Sequence, residues 1–103
     1  MEHGKLVRDR IPEIIRSSGR TPRVEVLNGD DLVDALLSKL EEEVRELRTA
    51  SPPDRVEELA DIFEVVQTLA VKFGIDMAGL LGVAEAKRAE RGGFDAGFWL
   101  STT

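Results

Sequence analysis

The sequence predicts an all-α fold, a bundle resting on three long helices, and three observations predict it. Apolar residues recur at helical spacing from about residue 30 to about residue 90. Breakers at Ser51-Pro52-Pro53-Asp54, Gly74 and Arg91-Gly92-Gly93 divide that stretch into three. A content of 42% hydrophobic and 33% charged residues suits a globular chain, and no apolar run approaches the roughly 20 residues that cross a bilayer. With 103 residues the chain is expected to form one domain with a modest core.

A short helix is expected over Ile11–Ser17, because Pro12 suits a first turn and Gly19 stops it. Arg23-Val24-Glu25-Val26-Leu27 alternates polar and apolar residues up to Asn28-Gly29, which predicts a brief strand or extended segment. From Asp30 or Asp31 to about Arg48 there is an acidic N-cap, helical periodicity and no glycine or proline. The second long helix is expected from Arg55 to Phe73, with Asp54 as N-cap and Gly74 as the stop. The third starts after Asp76 and reaches about Glu90, Gly92-Gly93 reading as a C-terminal cap rather than a phosphate-cradling turn. The tail FDAGFWLSTT has no helical period. Phe98-Trp99-Leu100 is predicted to pair as a strand with residues 23–27, and Phe98 and Trp99 to seal a core or a subunit interface.

The absence of cysteine excludes a disulfide framework and fits a cytoplasmic protein. The charged start MEHGKLVRDR has no apolar stretch, so no secretory signal is expected. A net charge of −6 argues against binding a nucleic-acid polymer. That charge is unevenly spread: residues 1–24 carry six basic and three acidic groups, residues 25–64 four and thirteen, and residues 65–103 four of each. An acidic middle flanked by basic ends suits a metal site with anion-binding groups brought to it, or a solvated acidic face.

Helical geometry separates those readings. At about 100° per residue, the apolar arc of the first long helix takes in Leu32, Val33, Leu36, Leu37, Leu40, Val44 and Leu47. Glu43 falls inside that arc, and Glu46 at its margin. The arc of the second is very wide, with Glu58 inside it and Asp61 at its edge. Its width predicts enclosure by the bundle and a partner subunit. Core-facing carboxylates need a counter-charge, or burial drives them neutral. Glu43 with Glu46, and Glu58 with Asp61, lie three residues apart, so each pair shares a helix face. Two antiparallel helices would bring the pairs together as four hard oxygen donors, suited to Mg²⁺ or Mn²⁺ rather than zinc. The single histidine, His3, stands in the leading tail, so imidazole ligation is not expected. Either motif alone is common on solvated helices; both together, intruding on apolar arcs of consecutive helices, favour the metal.

Glu42-Glu43-Val44-Arg45-Glu46 followed by Glu58-Leu59-Ala60-Asp61 resembles the E-E-x-x-E and E-x-x-D signature of the MazG-like all-α nucleoside triphosphate pyrophosphohydrolases. Lys5-Leu6-Val7-Arg8-Asp9-Arg10-Ile11-Pro12, the continuation to Ile62-Phe63-Glu64-Val65, and Lys87-Arg88 with Arg91-Gly92-Gly93-Phe94 are similar to a small phosphoribosyl-ATP pyrophosphohydrolase-like branch of that superfamily. The resemblance covers nearly the whole chain. It implies an all-α pyrophosphatase bundle, Mg²⁺-dependent cleavage between the α and β phosphates of a nucleotide, and a homodimer or homotetramer. By position it implies Glu43, Glu46, Glu58 and Asp61 as metal ligands and Glu42 as the group that orients or deprotonates the attacking water. Lys87, Arg88 and Arg91, then Lys5, Arg8 and Arg10, are the implied polyphosphate contacts. Larger members carry an Asn or Asp after the second motif, where this chain has Glu64, Gln67 and Thr68. The alternative reading is a nucleotide- or metal-binding interaction module without efficient turnover.

Overall fold

The computed structural model describes residues 4–103; His3 lies outside the described residues. Four α-helices follow in order: α1 (Ile11–Ser17), α2 (Gly29–Thr49), α3 (Arg55–Lys72) and α4 (Met77–Arg91), with one turn of 3-10 helix at Pro52–Asp54 between α2 and α3. The all-α expectation holds. None of the helices is long and apolar enough to cross a membrane.

α1 begins and ends where the breakers predict, with Pro12 in its first turn. α2 starts at Gly29, just ahead of the expected aspartates, with Asp30 and Asp31 in its first turn beside the positive end of the helix dipole. Asp54 does not cap α3 with its side chain; its backbone is already helical, and its carboxylate accepts a hydrogen bond from Ser51 Oγ at 2.9 Å. The two prolines force the tight turn, which continues directly into α3. At α4 the Asp76 side chain accepts from Gly79 N–H at 2.8 Å, satisfying one of the amides a helix start leaves open. Gly92, with φ at 83°, ends the helix, in keeping with the cap reading.

α2 and α3 pack as an antiparallel pair, since Leu36 meets Val65 and Leu69 while the later Glu43 meets the earlier Glu58 and Asp61. Leu36, Val65 and Leu69 form the buried centre, and Leu6, Leu32, Val33 and Leu40 pack around it. Leu6 therefore pins the segment before α1 across the helix pair. α4 approaches α3, whereas α1 makes no close backbone approach to another helix among the described residues.

The predicted strands do not form. No backbone hydrogen bond joins residues 23–27 to 98–100 among the described residues, and both segments run without regular structure. Two short segments form a ladder only with a hydrophobic face to pack on. Here Val26 is 88% exposed and Trp99 90% exposed, so alternation had nothing to work against. Phe98 and Trp99 consequently seal no core within the chain. Nor does the chain alone enclose the broad apolar face of α3: Val56, Leu59, Phe63 and Phe73 are all more than half exposed. The radius of gyration, 17.5 Å, exceeds the ~13 Å of a compact chain this long, which accords with apolar surface left uncovered.

Candidate metal centre

Antiparallel packing sets the C-terminal half of α2 against the first turns of α3, and the carboxylates meet there. Glu43 is 5% exposed, and it is the buried charged residue among those described. Its Oε1 faces the Lys39 ammonium at 3.4 Å, a contact one helical turn back on the same face. Its Oε2 is buried without a hydrogen-bond partner, and so is Oε2 of the half-buried Glu58. Carboxylate oxygens of Glu43, Glu58 and Asp61 lie within 4.8 Å of one another, as do those of Glu42, Glu43 and Glu46. Glu43 belongs to both groups and joins them. Of the four ligands expected, three meet in one group and Glu46 reaches it through Glu43.

The electrostatics follow from this crowding. Burial, then the adjoining Glu43 carboxyl and the negative charges of Glu46, Glu43 and Asp61, push the Glu58 pKa above the ordinary carboxylate value. Glu46 is raised as well, chiefly by the charge of Glu43 and then by desolvation and Glu42. Alongside, Glu46, Thr49, Ala50, Asp54, Glu57, Glu58 and Asp61 line an open recess whose charged groups are all carboxylates. The donor set is hard oxygen throughout, and two of its buried oxygens have no partner. Such a set of hard oxygens could hold a divalent cation.

The cations divide sharply. Arg8, brought over by the Leu6 anchor, donates from Nη2 to Asp61 Oδ1 at 2.6 Å. That bond, with the charges of Asp61, Glu64 and Glu43, raises the Arg8 pKa further. Lys5 lies on another side of α2, in a recess shared with Ser38, Lys39, Glu42 and Arg45. Glu42, the expected base, sits between the two regions, 3.9 Å from the Lys39 ammonium. Arg10 is exposed at the start of α1. Lys87, Arg88 and Arg91 are exposed on α4 and do not line the acidic recess; Arg91 pairs with the neighbouring Glu90 at 3.3 Å.

Sequence reasoning passed over Lys39, Asp54 and Glu57. Lys39 stands four residues before Glu43, a spacing that pairs charges on a helix and so carried a readable signal. Asp54 and Glu57 join the recess because the proline turn folds the start of α3 back beside the end of α2, which spacing alone does not reveal.

No family model matches the chain, and no solved structure matches it. Over 50 residues the chain is 58% identical to a protein of Mycolicibacterium smegmatis (strain ATCC 700084 / mc(2)155) described as uncharacterized, the match covering 48% of this chain and 51% of that protein. The chain thus spans about half the length of that relative.

Proposed function

We propose that this chain is a Mg²⁺-dependent nucleotide pyrophosphohydrolase of the MazG-like kind, cleaving between the α and β phosphates to release pyrophosphate and a nucleoside monophosphate. Its role is house-cleaning of nucleotides in the cytoplasm, and Mn²⁺ substitutes for Mg²⁺. The observation that carries this reading is a buried, partnerless Oε2 on each of Glu43 and Glu58, two residues whose carboxylates share a 4.8 Å neighbourhood with that of Asp61. Two carboxylates kept together out of water are costly unless a cation or a shared proton joins them, and a cation is the partner this reading assigns. The resemblance of the two acidic motifs supplies the class of reaction.

Glu43, Glu58 and Asp61 hold the cation, with Glu46 completing the set. A divalent cation held there would neutralise phosphate charge, polarise phosphorus and make water at the site more acidic. Glu42, on the flank and more accessible than Glu43, orients the attacking water and accepts its proton. Lys39 stays on Glu43 Oε1 and leaves Oε2 for the site. Arg8 steadies phosphate oxygens at the rim, for which a guanidinium is well shaped. Two or four copies assemble through the uncovered apolar surface of α3 and the aromatic tail, and Lys87, Arg88 and Arg91 reach substrate in that assembly. Support for assembly comes from the exposure of Val56, Phe63, Phe98 and Trp99.

The test is pyrophosphate release from canonical and modified nucleotides with Mg²⁺, with Mn²⁺ and with EDTA, for the wild type beside Glu43→Gln. Metal-dependent release that the substitution abolishes supports the reading. Nucleotide binding with no release under any metal would make the chain a binding module instead.

A further inference from the structure

Arg8 occupies a carboxylate that the proposed reaction needs. Its Nη2 lies 2.6 Å from Oδ1 of Asp61, whose oxygens share a 4.8 Å neighbourhood with those of Glu43 and Glu58. A cation from the chain itself therefore offsets part of the charge. Lys39 does the same for Glu43 from the opposite side, but the two differ in freedom. Lys39 projects from the middle of α2 and is 22% exposed, its ammonium held between Glu42 and Glu43. The Arg8 side chain is 57% exposed and stands on the segment between the Leu6 anchor and α1. Its backbone is fixed, for Ile11 N–H donates to the Arg8 carbonyl at 3.0 Å. The long side chain can thus swing while the main chain stays in place.

Resting on the metal-site reading above, we propose that Arg8 is an exchange residue: it neutralises Asp61 while the metal is absent, yields that carboxylate to the incoming divalent cation, and carries its guanidinium to the phosphate oxygens that arrive with it. A metal ion and a guanidinium both seek the Asp61 oxygens and repel each other, so binding the first weakens the hold of the second. Polyphosphate at the site offers the displaced guanidinium pairs of negatively charged oxygens that it can grip with two parallel N–H donors. Glu64, one turn beyond Asp61, adds negative charge that attracts Arg8 as well. Arg8 is by this account a competitor of the metal and a helper of the nucleotide.

The two roles predict opposite changes in one variant. In Arg8→Gln, Mn²⁺ alone, titrated by its EPR signal without nucleotide, binds about two- to fivefold more tightly, the range set by losing one exposed ion pair. The same variant has a raised KM for the nucleotide hydrolysed by the wild type, and Arg8→Lys restores part of both. An ion pair of purely structural use would change neither in this pattern. Unchanged or weaker Mn²⁺ binding by Arg8→Gln, with wild-type binding intact and circular dichroism showing the fold kept, overturns the exchange and leaves the metal site standing. If the wild type binds Mn²⁺ no better than Glu43→Gln, the metal-site reading falls and the exchange with it.

Discussion

Glu43→Gln keeps the volume of the one buried charged side chain among the described residues and removes its charge. Two effects on metal-free stability then oppose each other. The ion pair with Lys39 at 3.4 Å weakens, and a helical i,i+4 pair is worth about 0.3–0.5 kcal/mol. Against that, Glu43 escapes Glu58, Asp61, Glu42 and Glu46, whose carboxylate oxygens approach within 4.8 Å of its own. Solvent screens each such repulsion at its more exposed partner, and Arg8 and Lys39 offset part of it, but four carboxylates act on Glu43 against one ammonium. Relief equals or exceeds the loss, so Tm stays level or rises by up to ~8 °C, the upper end for a gain of about 1 kcal/mol in a chain this size. Metal binding moves the other way. Removing one carboxylate ligand from a divalent ion raises Kd about 100-fold, since the water that takes its place recovers most of the lost Coulomb attraction. Differential scanning calorimetry in EDTA and Mn²⁺ titration by EPR measure the two quantities. A Tm lowered by 10 °C or more would mean that Glu43 and Lys39 form a structural ion pair, whose rupture costs about 3–5 kcal/mol, and would refute the reasoning.

Leu69→Ala opens a hole in the small Leu36, Val65 and Leu69 centre and costs about 2–5 kcal/mol, read from the urea midpoint. Asp76→Ala removes the cap on Gly79 N–H and costs about 1 kcal/mol, with the loss of amide protection in hydrogen exchange confined to α4. Because Glu46 and Glu58 hold protons more tightly folded than at the ordinary value of 4.5, the folded chain binds more protons than the unfolded one in the window above 4.5. Their contribution therefore makes the metal-free protein lose stability as pH rises through that window. Saturating Mg²⁺ removes the loss, which Tm measured from pH 4.5 to pH 7 with and without the ion will show.

Much of this was legible in the residues, for reasons that differ from place to place. α1, α2, α3 and α4 declare themselves through strong periodicity and through breakers, Pro12, Pro52-Pro53, Gly74 and Gly92, that act within a turn or two. The burial of Glu43 was equally local, since its place on the apolar arc of α2 fixes which way it points. Residues 23–27 and 98–100 misled because alternation states a preference for a face, and no such face exists for them in this chain. The division of labour among the cations was illegible for a similar reason. Lys87, Arg88 and Arg91 share a helix and so group together in the sequence, yet Arg8 reaches the carboxylates because Leu6 crosses the α2–α3 pair, a tertiary event. Lys39 alone, at a helical spacing from Glu43, could have been paired with it in advance.

The central claim is that these carboxylates hold a divalent ion, and the most direct measurement is anomalous scattering from a crystal of the full chain grown with Mn²⁺. The account predicts one or more strong peaks at coordination distance from the Oε2 atoms of Glu43 and Glu58 and from Asp61, with the Arg8 guanidinium moved off Asp61. A map with no peak there, and Arg8 still on Asp61 at millimolar Mn²⁺, would contradict it.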